Sequence, residues 1–161
     1  IGEIVPPGTL DGGDICEAGR HFLVGLSHRT NEDGARQLAS ILSRHGYTSA
    51  VVDIRTIAGI LHLKSGVSYL GGGRLLVIDE LHGHPAFHSF DRLVVPDGEE
   101  YAANAIRVND HVVLPAGFPR VEALVQLSGT PVLTVGMSEF RKMDGGPSCL
   151  SLRFWLPIAT S

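Results

Sequence analysis

Asp14-Ile15-Cys16-Glu17-Ala18-Gly19-Arg20-His21-Phe22-Leu23-Val24-Gly25 reads as a β-hairpin. Residues 14 to 18 and 21 to 25 are short apolar-rich runs, and Ala18-Gly19-Arg20 supplies the turn between them. The polar loop Ser27-His28-Arg29-Thr30-Asn31 follows. Asn31 or Thr30 caps a helix there, with Glu32 and Asp33 at the positive end of its dipole. Ala35, Leu38, Ala39, Ile41 and Leu42 recur at helical spacing to about His45, and Gly46 stops the helix. Residues 48 to 54, rich in Val and Ile, are a strand. The order is strand, strand, helix, strand.

That order recurs along the chain. Gly66 to Leu70 and Arg74 to Ile78 are strands joined by Gly71-Gly72-Gly73, followed by a short helical piece near Pro85 to Phe87 and a strand from Arg92 to Val95. A third copy runs from Ala103 to Val108, turns at Asn109-Asp110, and continues as His111 to Leu114. Its helix covers about Pro119 to Leu127, Gly129 breaks it, and Pro131 to Val135 closes the unit. Three ββαβ units at a spacing of ~40 residues indicate a propeller or array, in which no unit buries its own face alone. Ile1 to Val5 reads as the last strand of an earlier unit, and Cys149 to Phe154 as the first strand of a further one. Residues 1–161 are therefore expected to be the C-terminal part of a single α/β-propeller domain, with the missing units preceding Ile1.

Composition narrows the function classes. The chain has 161 residues, 43% hydrophobic and 19% charged, as in ordinary globular domains. A net charge of −4 leaves no basic footprint for nucleic acid. No apolar run approaches the roughly 18 residues of a membrane span. Two cysteines, Cys16 and Cys149, are too few for a disulfide scaffold, so a reducing cytoplasmic compartment is expected.

The residues that could carry chemistry lie at unit boundaries. Gly145-Gly146-Pro147-Ser148 delivers Cys149 to a strand end, where it is either a buried hydrophobe or a thiol facing a cleft. His62, between Leu61 and Leu63, is either a packed or a functional imidazole. Asp11 stands before two glycines. In a ring of units such boundaries can converge, and a thiol, an imidazole and a carboxylate would form a nucleophile set. Arg29 suits bidentate carboxylate recognition or an ordinary surface role. His82, His84 and His88 have a spacing that could place metal ligands but lack an acidic partner pattern, so a solvated loop is the default.

Five segments then carry a family likeness. Gly8 to Asp14, Ser27 to Asn31, Leu61 to Ser65, Tyr101 to Asn104 and Met143 to Cys149 occur in one order. Together they resemble the C-terminal part of the dimethylarginine dimethylaminohydrolase family, within the guanidino-group-modifying superfamily of arginine deiminases and amidinotransferases. The resemblance runs to Phe154 and leaves Trp155 to Ser161 outside. It implies a five-bladed α/β propeller lacking about two units. It also implies Cys149 as nucleophile, His62 as general acid and base, and Asp11 as the carboxylate orienting the histidine. Arg29 matches the arginine that binds the substrate's α-carboxylate, and Met143 a backbone-carbonyl contact to its amino-acid end. A guanidinium-binding aspartate and a further arginine would come from the missing segment. The implied activity is hydrolysis of Nω-methylated arginine to citrulline and an alkylamine, with no metal or organic cofactor. Relatives acting on free arginine typically carry an aspartate two residues after the histidine. Lys64 stands there and favours methylated substrates. Arginine deiminase, amidinotransferase and a non-catalytic arginine-binding module are the alternatives, and homo-oligomerisation is left open.

Overall fold

The computed structural model describes residues 2–152. The first hairpin forms as β1 (Ile15–Ala18) and β2 (His21–Leu26), antiparallel, with Val24 opposite Ile15. Helix α1 (Glu32–Arg44) follows, and the Asn31 side chain accepts the Gly34 amide as its N-cap. β3 (Thr48–Asp53) returns parallel to β2.

A helical turn, α2 (Leu63–Gly66), then enters the second unit. Here β4 (Val67–Gly71) and β5 (Arg74–Val77) form the hairpin, α3 (Asp79–His82) and a 3-10 turn at Pro85–Phe87 form the crossover, and β6 (Asp91–Val94) closes parallel to β5. The third unit is entered by a 3-10 turn at Glu100–Ala103. It contains β7 (Ile106–Val108), β8 (His111–Pro115), α4 (Pro119–Leu127) and β9 (Val132–Val135). A last turn, α5 (Ser138–Arg141), leads to the segment carrying Cys149.

Each unit is a separate three-stranded sheet in its own chain order. The first strands face one another, β1 beside β4 and β4 beside β7. They line an open cavity of about 250 Å³ whose wall includes Cys16, Glu17, Lys64, Tyr69 and Arg107. This is the blade arrangement of an α/β propeller, with first strands inside and third strands outside. Burial follows from it. Leu70, Leu75, Leu76 and Val77 of the middle sheet are almost wholly inaccessible, because that sheet has a neighbour on both faces. Each such side chain contributes about 1.5–3 kcal/mol by leaving water. On the outer strand β9, Leu133 and Val135 stay exposed.

Two expected strands do not form among the described residues. Ile1 lies outside them, and residues 2 to 5 join no sheet. The Gln37 side chain takes both backbone groups of Val5, donating to its carbonyl and accepting its amide at 2.9 Å each. Residues 147 to 150 form a turn rather than the start of a strand. Pro147 has no amide, the Ser148 amide goes to the Asn104 side chain, and the Cys149 amide returns to Gly146 O at 3.0 Å. The rest of that expected strand, Arg153 and Phe154, lies outside the described residues. The third unit's first strand also begins later than expected, because Ala103 belongs to the entering turn.

Helix α4 has no side-chain cap of its own, and Glu99 supplies one from the preceding linker. Its Oε2 accepts the Val121 amide at 2.8 Å and its Oε1 the Arg120 Nε at 3.1 Å. Burial alone would raise its pKa, but the Val121 amide and the Arg120 guanidinium and amide hold it below the ordinary glutamate value. A carboxylate with a lowered folded-state pKa stabilises above its unfolded value and loses that contribution as pH falls through the folded one. Glu99→Gln is expected to cost about 0.5–2 kcal/mol at neutral pH. Urea unfolding should show the deficit shrinking in acid as Glu99 itself protonates.

Candidate active site

The linkers that enter successive units lie side by side. The 3-10 turn Gly12–Asp14 packs on α2, and α2 packs on the turn Glu100–Ala103. Asp11, His62 and Asn104 flank these three turns. The repeat therefore gathers residues from distant parts of the chain at one end of the inner strands.

Asp11 caps the first turn, its Oδ1 accepting the Gly13 amide at 2.8 Å. Its Oδ2 lies 3.4 Å from His62 Nε2 and 3.5 Å from Arg29 Nη1. The Gly13 amide first, then the neighbouring His62 ring and a hydrogen bond from Arg29, outweigh partial burial and hold the carboxyl below its usual value. Asp11 is thus a carboxylate facing an imidazole and a guanidinium. His62 Nε2 is buried, makes no hydrogen bond, and has Asp11 at ion-pair separation. Arg29 is mostly exposed, with its guanidinium free to meet a further anion.

Cys149 forms a second cluster. Its thiol is exposed, and Asn104 Nδ2 approaches Sγ at 3.6 Å. Asn104 is buried, and its Oδ1 accepts the Ser148 amide at 3.0 Å. The Tyr101 hydroxyl donates to Gly145 O at 2.5 Å. Burial pushes the Tyr101 phenol up, which keeps it a donor. The Arg141 guanidinium sits 4.8 Å above the Tyr101 ring and 5.4 Å from that of Phe118. These contacts tie residues 141 to 149 to the third linker. Met143 projects into solvent from this segment, 84% exposed.

Asp11, Arg29 and His62 are brought together, and Cys149 meets Asn104. Among the described residues no hydrogen bond or ion pair joins Cys149 to His62. A cavity of about 460 Å³ lies between their segments, lined by Leu61 and Ser65 on one side and Tyr101, Asn104, Arg141 and Asp144 on the other. No three His, Cys, Asp or Glu side chains cluster as a metal requires among the described residues. His82 bonds the Asp79 carbonyl, and His84 caps the turn Pro85–Phe87.

The arginine deiminase family model matches residues 3–77. A dimethylarginine dimethylaminohydrolase of Pseudomonas aeruginosa is 45% identical over 154 residues, covering 96% of this chain and 59% of its own length. The structure of a cysteine-to-serine variant from that organism, complexed with citrulline, superposes with a TM-score of 0.87 at 45% identity, over 94% of this chain and 58% of that one. The chain is a homologue of the dimethylarginine dimethylaminohydrolases. Another structure of this kind, a histidine-to-glycine variant held as an adduct with S-methyl-L-thiocitrulline, gives a TM-score of 0.86 at 45% identity, over 94% and 58% of the two chains. The chain spans about three-fifths of the length of these dimethylarginine dimethylaminohydrolases.

Sequence reasoning assigned no role to two residues of the candidate site, Asn104 and Asp14. Asn104 lay within a quoted motif, but its bonds to Ser148 and Cys149 span more than forty residues. Asp14 carried a clearer signal. It is in phase with Cys16 and Ala18 on the buried face of the first strand, so its carboxylate must find internal donors.

Two glycines set the spacing by lacking a side chain. A Cβ on Gly13 would lie 2.6 Å from the His62 ring, and one on Gly146 would lie 2.3 Å from Asn104 Cγ. Asn104 is buried and bonded on both ends of its amide, so it has little room to yield. Gly146→Ala is expected to destabilise by about 1–3 kcal/mol through overpacking, measured by denaturant unfolding.

Proposed function

We propose that this chain supplies the nucleophile and the acid–base group of a hydrolase for Nω-methylated arginines. The observation that carries the reading is the Asp11 carboxylate set between His62 and Arg29, at 3.4 and 3.5 Å. Homology to enzymes of that name supports it. In this reading the chain is the C-terminal part of a five-bladed propeller, and the remaining units of the same polypeptide complete the guanidinium pocket.

Arg29 pairs with the α-carboxylate of the substrate, and a backbone carbonyl at Met143 receives its amino-acid end. The Cys149 thiolate attacks the guanidinium carbon and forms a C–S bond. His62, as imidazolium, protonates the departing nitrogen, and the C–N bond breaks to release methylamine or dimethylamine. The product of this step is a covalent thiouronium. The neutral His62 then takes a proton from water as its oxygen attacks the same carbon. The C–S bond breaks, the electron pair returns to sulfur, and citrulline leaves. Asp11 holds the imidazole in orientation and stabilises its cationic form. The positive substrate beside the thiol favours the thiolate. No step calls for a metal or organic cofactor. A reducing compartment such as the cytoplasm suits a free thiol, and a homo-oligomer is compatible with the arrangement.

A deiminase acting on free arginine is the second reading, favoured by the family model over residues 3–77. Lys64, on the wall of the axial cavity, argues against it, because a second carboxylate at that position would bind the unmethylated guanidinium.

Two experiments on the complete polypeptide test the proposal. Dimethylamine and citrulline should form in equal amounts from asymmetric dimethylarginine. Ammonia from arginine without alkylamine from methylarginine would establish the deiminase instead. Cys149→Ser should abolish turnover, and His62→Ala should lower it by about 10²–10⁴-fold. Unchanged turnover in Cys149→Ser would remove the nucleophile assignment, and no turnover in the wild-type polypeptide would leave a non-catalytic module.

A further inference from the structure

Asp14 takes part in none of these chemical steps, yet its carboxylate is completely buried. Its Oδ2 accepts the hydroxyls of Ser27 and Thr30 at 2.7 Å each, and its Oδ1 accepts the Leu63 amide at 3.0 Å. Each donor leads to a different residue of the candidate site. Leu63 directly follows His62. The Thr30 hydroxyl, while donating to Asp14, accepts the Asp11 amide at 2.9 Å. The Ser27 hydroxyl accepts the Arg29 amide at 3.0 Å and the Thr30 amide at 3.2 Å. Asp11, Arg29 and His62 therefore all hang from one carboxylate by short hydrogen-bonded chains.

We propose that Asp14 is the positioning residue that sets the imidazole of His62, the carboxylate of Asp11 and the backbone of Arg29 relative to one another. This rests on the functional reading above. The direction of the donors distinguishes the role from generic burial. The Asp14 oxygens accept in all three bonds, so both hydroxyls point their protons at Asp14. That leaves their lone pairs for the amides of Asp11, Arg29 and Thr30. The polarity of the whole network follows from one acceptor group. An asparagine at this position carries a donor on one side, and either the Leu63 amide or the two hydroxyls would then lose their acceptor.

Thr30 offers the cleanest test, because its two neighbours in size separate hydrogen bonding from packing. Thr30→Val keeps the volume and removes the hydroxyl, and Thr30→Ser does the reverse. In the complete polypeptide, kcat per titratable Cys149 should fall about 10- to 100-fold in Thr30→Val, as for a misplaced catalytic group. KM should change little, and Thr30→Ser should stay close to wild type. Ser27→Ala should instead act mainly on KM, through Arg29. A packing role predicts the opposite order at Thr30, with serine worse than valine, and that result would overturn the proposal. The imidazole ¹⁵N resonances of His62, recorded without substrate, give a second readout. They should move in Asp14→Asn and Thr30→Val and hold in Thr30→Ser. The groups they report on are Asp11, with Arg29 behind it, and Lys64 on the same turn. If wild-type polypeptide forms no citrulline, the hydrolase reading fails. The His62 resonances then decide alone, and unchanged resonances in Asp14→Asn and Thr30→Val would refute the positioning role.

Discussion

A carboxyl group taken fully out of water is costly unless hydrogen-bond partners replace its hydration. Asp14 is such a group, and three donors from two other segments surround it. The compensation is also a constraint. The loop between β2 and α1 and the entry to the second unit must both reach the start of β1, or the carboxyl oxygens are left without partners. Apolar contacts around it, such as Leu63 against Gly25, specify proximity but not orientation. The hydrogen bonds add orientation, so the first and second units meet in one arrangement at this end of the molecule.

The rest of the architecture follows from repetition. A three-stranded sheet with one covering helix has too little apolar surface to be stable alone. Setting the first strands side by side gives the middle sheet a neighbour on each face and makes its strands the driest part of the molecule. The linkers are then forced together at one end. Backbone groups in such irregular segments still need partners. Side chains provide many of them: Asp14 for Leu63, Asn104 for Ser148, Ser68 for Ala105 and Glu99 for Val121.

The hairpins, α1 and α4 were legible because their signals are local. Asn31 caps, Gly46 terminates, and apolar residues recur at a fixed period. The four-residue turns α2, α3 and α5 are too short to show a period, and sequence reasoning passed over them. The terminal strands do not form among the described residues for another reason. A strand exists only with a partner, and side chains from elsewhere, Gln37 at one end and Asn104 at the other, took the backbone groups a partner would have used. At the site, Asp11 and His62 were marked by residue type and boundary position and Arg29 by residue type in a polar loop, and the three do meet. Asn104 and the reach of Asp14 to Leu63 were hidden because those partners lie more than forty positions away. Only the folded chain defines those pairs.

Placing the reactive groups on linkers has a mechanical consequence. The imidazole rides at the entry to the second sheet, while the thiol rides beyond the third and is braced on the linker between the two. Their separation is then a property of the angle between blades, not of any strand. A slight rocking of one sheet about the inner strands would change the gap between sulfur and imidazole with every β-ladder intact. In the proposed hydrolase, substitutions deep between the sheets would thereby reach the rim through the angle between blades.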